Sequence, residues 1–584
     1  DLWHAAVNGG GTYFSASNPT SLYVGLASAI NSLDGQVGAA AAATTSNPNI
    51  SAGDNQVFVS NFVSAEWSGD LKSQRLDVNT GAVSSGAPDW SAGDQLDGNS
   101  SRTLYMFSSG SSNKLKDFSW SAMTVAEQGN FSLAYVTTAG RALSQFCAFG
   151  PYCLSAANQA AAAGQPLVDF LRGDRSNEGD VTDATKYFRK RAHRLGDIVS
   201  SEAVYVSKSL VNYTDAGYDS FKNTTSSRQG VVYVGANDGM LHAFRADTGD
   251  ELWAYVPTAV LPNFYKLADK QYPTQHQYTT DGSPVVQDVY IGGTWRSILV
   301  AGMGAGGRSY YALDVTDPTN PQALWEFTDT NLGLTFGKPE IGKLQNGTWV
   351  VVFASGYNNV SPGDGIGRLY VVDAGTGTLI RSISTGVGST GTPSGLAHIR
   401  GWVDNSDLDN TMMRVYAGDN LGNLWRFDIN DNVGAAGYDA QRIATLKSST
   451  GVSQPITSRP ELGQVGNFPM IFVGTGRYLG QSDLSDTSAQ TIYGVTAPMN
   501  ATDIGDPRLT ANRFVSQTLT AGTCPSGSNA CAPGQVVRTI AAPNPVNMAT
   551  NGGWYVDLPQ TRERVNTDPQ LALGTLVVTS NVIA

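Results

Sequence analysis

Charged side chains are scarce in this sequence, and basic ones are the scarcer kind. Aspartate, glutamate, lysine and arginine make up 15% of the 584 residues, with 37 basic against 49 acidic side chains. The net charge of -12 repels phosphate backbones, and no run of basic residues offsets it. The composition therefore argues against nucleic acid as a partner.

The sequence also has no run of about 18 apolar residues, the length that a membrane-spanning helix needs. We predict no membrane-spanning segment. The opening residues 1–4 do not have the features of a signal peptide, and residues 576–584 follow a strand pattern up to the last residue. We expect the sequence to be a fragment of a longer chain.

Cysteine is rare, and its four residues fall into two close pairs, Cys147 with Cys153 and Cys524 with Cys531. Two short-loop disulfides are the natural pairing, which implies export to an oxidising compartment because cytosolic thiols stay reduced. Four unrelated free thiols are the alternative, which the close spacing disfavours. Zinc fits less well, because zinc sites need closer cysteines with further Cys or His ligands.

No group of residues has the pattern of a catalytic site. We find neither a nucleophile beside a base, nor a paired acid and base, nor a phosphate-binding loop. The glycines of residues 302–307 are spaced as in a dinucleotide-binding turn, but a strand pattern continues after them where a helix should begin. We therefore predict that the protein is not an enzyme.

Glycine and aromatic residues, in contrast, are abundant, with 65 Gly, 24 Tyr and 11 Trp. This mixture is typical of all-β proteins with many turns. From about residue 199 onward a unit recurs that contains an apolar strand, a Gly-rich turn, a second strand, an Asp-x-x-Thr-Gly turn and an aromatic strand. Trp253, Trp325 and Trp425 stand near the ends of these units, which favours packing between them. The clearest copies are residues 231–253 and 367–380, and looser ones are residues 297–325 and 414–428.

These repeats predict an all-β fold in which a β-propeller of about seven blades follows an N-terminal β-rich domain. Because the repeats are about 50 to 75 residues apart, we expect insertions in the blade loops. We place the N-terminal domain at residues 1–170, with one amphipathic helix over residues 22–33. A linker is expected at residues 171–195 and the propeller at residues 196–584.

Six segments share a pattern with one family of proteins, in the same order along the chain: residues 1–8, 52–55, 67–71, 170–176, 195–199 and 416–428. They resemble the PilC/PilY family of type IV pilus proteins. The resemblance implies an exported protein at the pilus tip or outer membrane of a Gram-negative bacterium, which supports pilus biogenesis, surface attachment and twitching motility. It also implies minor pilins and surface receptors as partners, and an upstream von Willebrand-type domain that this sequence does not contain.

Residues 404–413 resemble the calcium loop of that family. Calcium takes six to eight oxygen ligands, and short loops supply them from alternate positions. Met413 stands where the family has a last aspartate, and a thioether is not a ligand for a hard cation. Asp404 or water would then have to replace that ligand, and a solvated acidic turn is the alternative. The predicted ligands are Asn405, Asp407, Asp409 and Thr411.

A second candidate site is the tripeptide Arg172, Gly173 and Asp174, which integrins can recognise on an exposed loop. Local ion pairs of Arg172 and Asp174 with their neighbours are the simpler interpretation. For the whole chain we predict a pilus-tip adhesin and biogenesis factor, with calcium as a candidate regulator. A quinoprotein-type dehydrogenase, whose propeller repeats are similar, and a non-adhesive outer-membrane scaffold are the alternatives.

Overall fold

The computed structural model describes most of the chain after residue 54 and two short pieces before it. The predicted helix over residues 22–33 lies outside the described residues. Within the described part, no helix is long and apolar enough to cross a membrane. The described residues are 37–39, 44–45, 55–77, 82–84, 86–148, 153–430, 439–500, 502–524, 534–540, 542–572 and 574–583.

The part that precedes the repeats contains a small sheet, called the N-terminal sheet, followed by short helices. Its strands are β1 (Val37–Ala39), β2 (Thr44–Thr45), β3 (Gln56–Val63), β4 (Ser68–Arg75) and β5 (Trp90–Ser91), in the order β1-β3-β4-β5 with β2 paired to β3. Strands β6 (Leu104–Phe107), β7 (Leu115–Asp117), β8 (Glu178–Gly179) and β9 (Phe188–Arg189) follow. The α-helices of the described chain are α1 (Ala92–Gly98), α2 (Val125–Gly129), α3 (Leu133–Val136), α4 (Ala156–Ala162), α5 (Gln165–Arg172), α6 (Tyr218–Thr224) and α7 (Leu261–Phe264).

The repeats form antiparallel sheets that each use consecutive strands, as the prediction of propeller blades requires. Blade 1 contains β10 (Val204–Val206), β11 (Val231–Ala236), β12 (Met240–Arg245) and β13 (Glu251–Val256); blade 2 contains β14 (Val285–Ile291), β15 (Thr294–Gly302), β16 (Tyr310–Asp314) and β17 (Gln322–Phe327). Blade 3 contains β18 (Glu340–Lys343), β19 (Trp349–Ala354), β20 (Arg368–Asp373) and β21 (Leu379–Ser384); blade 4 contains β22 (Ile399–Asn405), β23 (Asp409–Gly418), β24 (Asn423–Phe427) and β25 (Ala440–Thr445).

The last part of the chain forms a fifth sheet and three short ribbons. Blade 5 has the order β26-β27-β28-β32-β29, while β30 pairs with β31, β33 with β36 and β34 with β35. The bounds are β26 (Glu461–Val465), β27 (Phe468–Gly474), β28 (Thr491–Thr496), β29 (Phe514–Gln517), β30 (Thr520–Thr523), β31 (Val536–Thr539), β32 (Gly553–Asp557), β33 (Glu563–Arg564), β34 (Gln570–Ala572), β35 (Thr575–Val577) and β36 (Asn581–Val582). The prediction of about seven blades stays a prediction.

Two tryptophans connect successive blades, because the indole N–H of each donates to a carbonyl oxygen in a turn of the next blade. Trp253 of blade 1 donates to Pro318 at 2.7 Å, and Trp325 of blade 2 donates to Ala374 at 2.9 Å. A Cβ added at Gly377, in the Asp-x-x-x-Gly turn after β20, would lie 2.6 Å from the Trp325 ring. The turn needs glycine there because the ring of the preceding blade packs against it.

Blade 1 accepts the same contact from the N-terminal sheet. Trp90 on β5 donates its N–H to the carbonyl oxygen of Ala246 at 2.9 Å, and a Cβ added at Gly249 would lie 2.6 Å from its ring. Strand β6 then pairs in parallel with β13, so Leu104 lies opposite Ala254. Leu104 and Ala254, which lie on either side of the predicted linker at residues 171–195, belong to one cluster of buried apolar residues. The domain boundaries placed there stay predictions.

A buried charged cluster reinforces this junction. Arg102 and Glu251 form a two-point ion pair, with N–O distances of 2.7 and 2.8 Å, and the side chains are 5% and 1% exposed. His242 lies between Glu251, at 2.8 Å, and Asp238, at 3.1 Å. Burial alone would lower the pKa of His242, but Asp238 and Glu251 raise it to about 9. Burial alone would raise the pKa of Glu251, but Arg102 and His242 lower it to about 2.

Candidate functional site

The predicted calcium-loop residues lie on a β-hairpin of blade 4. Strands β22 and β23 form its two arms, and residues 406–408 form the turn. Asn405 lies opposite Asp409 in the antiparallel ladder, and Val403 lies opposite Met412 with register shifts on either side. Residues 404–409 are exposed, whereas Asn410 is buried. The hairpin therefore extends to the surface, because only its base carries residues that the blade can bury.

The carboxylates of this hairpin are directed to separate partners. Asp404 accepts the indole N–H of Trp402 at 2.7 Å. Asp407 accepts the side-chain amide of Asn212 at 3.0 Å. Asp409 accepts both the backbone N–H of Thr411, at 3.1 Å, and its hydroxyl, at 2.7 Å.

Lys343, at the end of β18, provides a positive charge beside the hairpin. Its ammonium group lies 3.0 Å from Asp409 and 2.5 Å from Asp215, and its side chain is only 13% exposed. Burial would raise the pKa of Asp409, but hydrogen bonds from Thr411 and Lys343 hold it below its usual value. The pKa of Lys343 is raised despite its burial, because Asp215 and Asp409 favour the charged form.

These contacts bear on the calcium prediction. Calcium needs six to eight converging oxygens. In the described part of the chain, no three His, Cys, Asp or Glu side chains are grouped so that they could hold a metal ion. At the position of the family's last aspartate, the sulfur of Met413 lies 3.6 Å from Nε2 of Gln345. As the structure holds them, the hairpin residues do not fit a calcium ion, and calcium binding stays a prediction that titration must test.

The Arg-Gly-Asp tripeptide lies at the end of helix α5. Gly173 ends the helix with φ of 117°, a value that suits glycine, and its carbonyl oxygen accepts a hydrogen bond from Arg194 at 2.8 Å. Arg172 contacts the carbonyl oxygen of Phe118 and is 24% exposed. The carboxylate of Asp174 accepts the backbone N–H of Ser176 at 2.9 Å. The ion-pair partner of Arg172 is the distant Asp117, and Asp174 contacts Ser176 through hydrogen bonds, so these contacts differ from the predicted local ion pairs with Arg175 and Glu178. Receptor binding by the tripeptide stays a prediction.

The structure shows one of the two predicted cysteine pairs in full. Cys147 and Cys153 form a disulfide with a Cα–Cα distance of 5.1 Å. Cys524 is disulfide-bonded, but Cys531 lies outside the described residues. Disulfides persist in oxidising compartments, which agrees with an exported protein.

Sequence reasoning missed a cavity of about 250 Å³ between the first strands of the blades. Lys338 and Glu202 pair across it at 2.5 Å, and Asp568 accepts the backbone N–H of Arg459 at 2.8 Å. Burial would raise the pKa of Asp568, but His398 and Arg459 lower it. The cavity could have been predicted from one sequence feature: charged residues stand just before the first strand of several repeats. These lining residues include Glu202, Lys338, His398, Arg459 and Asp568.

Comparison with known proteins gives a consistent result. The chain is 34% identical to the type IV pilus biogenesis factor PilY1 of Pseudomonas aeruginosa strain PAK, in an alignment that covers 95% of this chain and 49% of that protein. It is 37% identical to a PilY1 homolog of Xylella fastidiosa, over 68% of this chain and 31% of the homolog. The chain thus spans about half the length of the P. aeruginosa relatives that it matches.

A solved structure and a family model complete the comparison. The crystal structure of the P. aeruginosa PilY1 C-terminal domain aligns with a TM-score of 0.53 and 29% identity, over 65% of this chain and 83% of that domain. The family model of the PilY1 beta-propeller domain matches residues 195–524. This match begins where the sequence repeats begin and covers more than half of the chain, so the protein belongs to the PilY1 beta-propeller family.

Proposed function

We propose that this protein is a type IV pilus biogenesis factor that acts at the cell surface of a Gram-negative bacterium. The observation that carries the proposal is the alignment with PilY1 of P. aeruginosa, which extends over 95% of this chain. The disulfide between Cys147 and Cys153 supports a location outside the cytoplasm.

We further propose a place at the pilus tip, where the protein binds minor pilins and contributes to attachment and twitching motility. A propeller with long insertions provides broad, rigid loop surfaces for such partners. We retain Arg172, Gly173 and Asp174 as a candidate for receptor binding, in which the side chains of Arg172 and Asp174 would have to exchange their contacts with Phe118 and Ser176 for a receptor.

A chimera tests these proposals directly. In the chimera, this chain replaces the matching half of P. aeruginosa PilY1. The chimera is expressed in a strain that lacks PilY1, and surface pili and adherent cells are counted. The control is the same strain with its own PilY1 restored. Restored pili and adhesion are expected. Restored pili without adhesion would favour the scaffold alternative, whereas a chimera that is exported and folded but restores no pili would contradict a role in biogenesis.

The dehydrogenase alternative predicts a bound quinone. The named relatives are pilus biogenesis factors, which disfavours it. An absorbance scan of the purified chain after incubation with a pyrroloquinoline quinone and calcium should show no retained quinone after gel filtration. Stoichiometric retention would revive the alternative.

Calcium is the remaining candidate regulator of this function. The hairpin of residues 404–413 supports it only through its resemblance, because Asp404, Asp407 and Asp409 are directed to separate partners. Calorimetric titration with calcium chloride measures it, given that sensor sites bind with dissociation constants of about 10⁻⁷ to 10⁻⁵ M. Binding in that range that is lost in Asp407→Ala would support calcium regulation.

A further inference from the structure

The tip of the blade 4 hairpin is held by a distant segment of the chain. Residues 209–217, which we call the strap, leave blade 1 after β10 and reach the turn of the hairpin before helix α6 begins. The backbone N–H groups of Asn212 and Thr214 donate to the carbonyl oxygens of Asp407, at 2.8 Å, and Leu408, at 2.9 Å. The strap therefore caps a turn whose carbonyl groups would otherwise face water.

Aromatic packing determines the path of the strap across the blades. Tyr213 is 3% exposed and packs against Trp295 of blade 2 and Trp349 of blade 3, with ring centroids 5.9 and 6.1 Å apart. On its outer side, the ammonium group of Lys222 donates to the carbonyl oxygen of Val211 at 2.9 Å and to the side chain of Asn212 at 2.6 Å. The strap thus reaches the hairpin in a defined position.

Lys343 joins the strap to the hairpin through charge. Its ammonium group contacts Asp215 of the strap at 2.5 Å and Asp409 of the hairpin at 3.0 Å. The lysine comes from β18 of blade 3, where it lies opposite Thr411 in the single parallel bridge between the two blades. One cation therefore connects three elements: the strap, blade 3 and the blade 4 hairpin.

We propose that the Lys343 ammonium is the resident cation of this site and that it fixes the hairpin without a metal ion. Asp409, a predicted calcium ligand, already forms an ion pair with this ammonium group. A calcium ion next to Asp409 would meet the positive charge of a side chain that is largely buried, and like charges at such distances repel strongly. The position of the hairpin is then independent of calcium concentration. This inference does not depend on the proposed function.

Hydrogen exchange provides a direct readout of this arrangement. The amides of Asn212 and Thr214 exchange with solvent only when the strap leaves the hairpin, so their exchange rates report the closed state. We would measure them in the full 584-residue chain with EDTA and with about 1 mM calcium chloride, a concentration well above the sensor range. In the wild type, calcium should leave both rates unchanged.

Substitution of the lysine should open the strap. In Lys343→Met, which keeps most of the side-chain volume, two carboxylates face each other without a cation, and exchange of both amides should rise by about tenfold. Calcium should slow it again, because Asp215 and Asp409 are then free for a metal. Lys343→Arg should stay close to the wild type, and Lys208→Met, a change of an exposed lysine near the strap, is the matched control.

Two results would overturn the proposal. One is calcium-dependent slowing of these amides in the wild type that Asp409→Asn abolishes. The other is an unchanged exchange rate in both Lys343→Met and Asp215→Asn. Asp215→Asn removes the other end of the bridge from the half-exposed strap, so it keeps the test decisive if Lys343→Met does not fold.

Discussion

Two kinds of contact join distant parts of the chain. In the first, which we call a joint, Trp90, Trp253 or Trp325 packs against a turn of the next sheet. The second is the contact between the strap and the blade 4 hairpin. The joints use buried, uncharged tryptophans such as Trp253, 2% exposed, and each needs one glycine or turn carbonyl in the next sheet. The strap contact uses charges that are partly exposed, since the Asp409 side chain is 53% exposed. Apolar burial contributes more to the free energy of unfolding, whereas partly exposed ion pairs contribute little to it and mainly hold a loop in one position. We expect the joints to determine whether the fold forms and the strap contact to determine where one loop lies.

Trp325→Ala should have the largest effect on stability. Removing this ring leaves a cavity against the Gly377 turn, which should lower the free energy of unfolding by about 3–5 kcal/mol. Trp325→Phe keeps a ring but loses the N–H donated to Ala374, and should cost about 1–2 kcal/mol. Urea unfolding followed by tryptophan fluorescence measures both, and a loss below about 1 kcal/mol in the alanine variant would contradict the importance of the joint.

Glu251→Gln tests whether a charged contact can match a joint when it is buried. Arg102 would lose its carboxylate while both groups stay out of water, so the free energy of unfolding should fall by about 3 kcal/mol. Asp247→Asn, in an exposed pair with Arg245, is the matched control and should leave the urea midpoint nearly unchanged. Equal effects of the two variants would mean that burial is not what makes the cluster strong.

His242 should make the same cluster sensitive to pH. Its pKa of about 9 in the folded protein lies above the ordinary value of 6.5, so the stability it contributes is complete below pH 6.5. That contribution should fall by roughly 3 kcal/mol as pH rises from 6.5 through 9. Urea midpoints across this range give the slope, and a His242→Gln variant that keeps the full slope would assign it to another group.

Asp409→Asn should have the smallest global effect. The lost attraction to Lys343 involves a half-exposed carboxylate, so we expect about 0.5–1 kcal/mol. Limited proteolysis between residues 405 and 409 should nevertheless become faster, because the hairpin loses its ion pair with Lys343. A large drop in the urea midpoint would show that the strap contact contributes to the fold as the joints do.

The repeats allowed much of the fold to be predicted, and the long-range contacts did not follow from them. Alternating apolar residues and Asp-Gly turns indicate strands, and the spacing of Trp253 and Trp325 indicates packing between sheets, which the structure confirms. Trp425 differs, because its N–H donates to Asp419 within its own blade. A side chain alone does not indicate which neighbour it will reach.

The candidate site was harder to predict for the same reason. Asp407 and Asp409 were found from the sequence because they stand close together, but their partners are distant in the chain. Asn212 lies 195 residues before Asp407, and Asp215 lies 128 residues before Lys343. No local pattern marks such pairs, since the fold alone brings blade 1, blade 3 and blade 4 together.

The joint between Trp90 and Ala246 also has a consequence for the order of assembly. The two residues are 156 positions apart, and ribosomes add about 5 to 20 residues per second, so Trp90 waits roughly 8 to 30 s for its partner to be made. During that time the N-terminal sheet shows an unpartnered indole and β6 shows an open edge, the features by which nascent chains aggregate or recruit chaperones. The N-terminal sheet therefore completes its contact with blade 1 only after residue 246 has been synthesised.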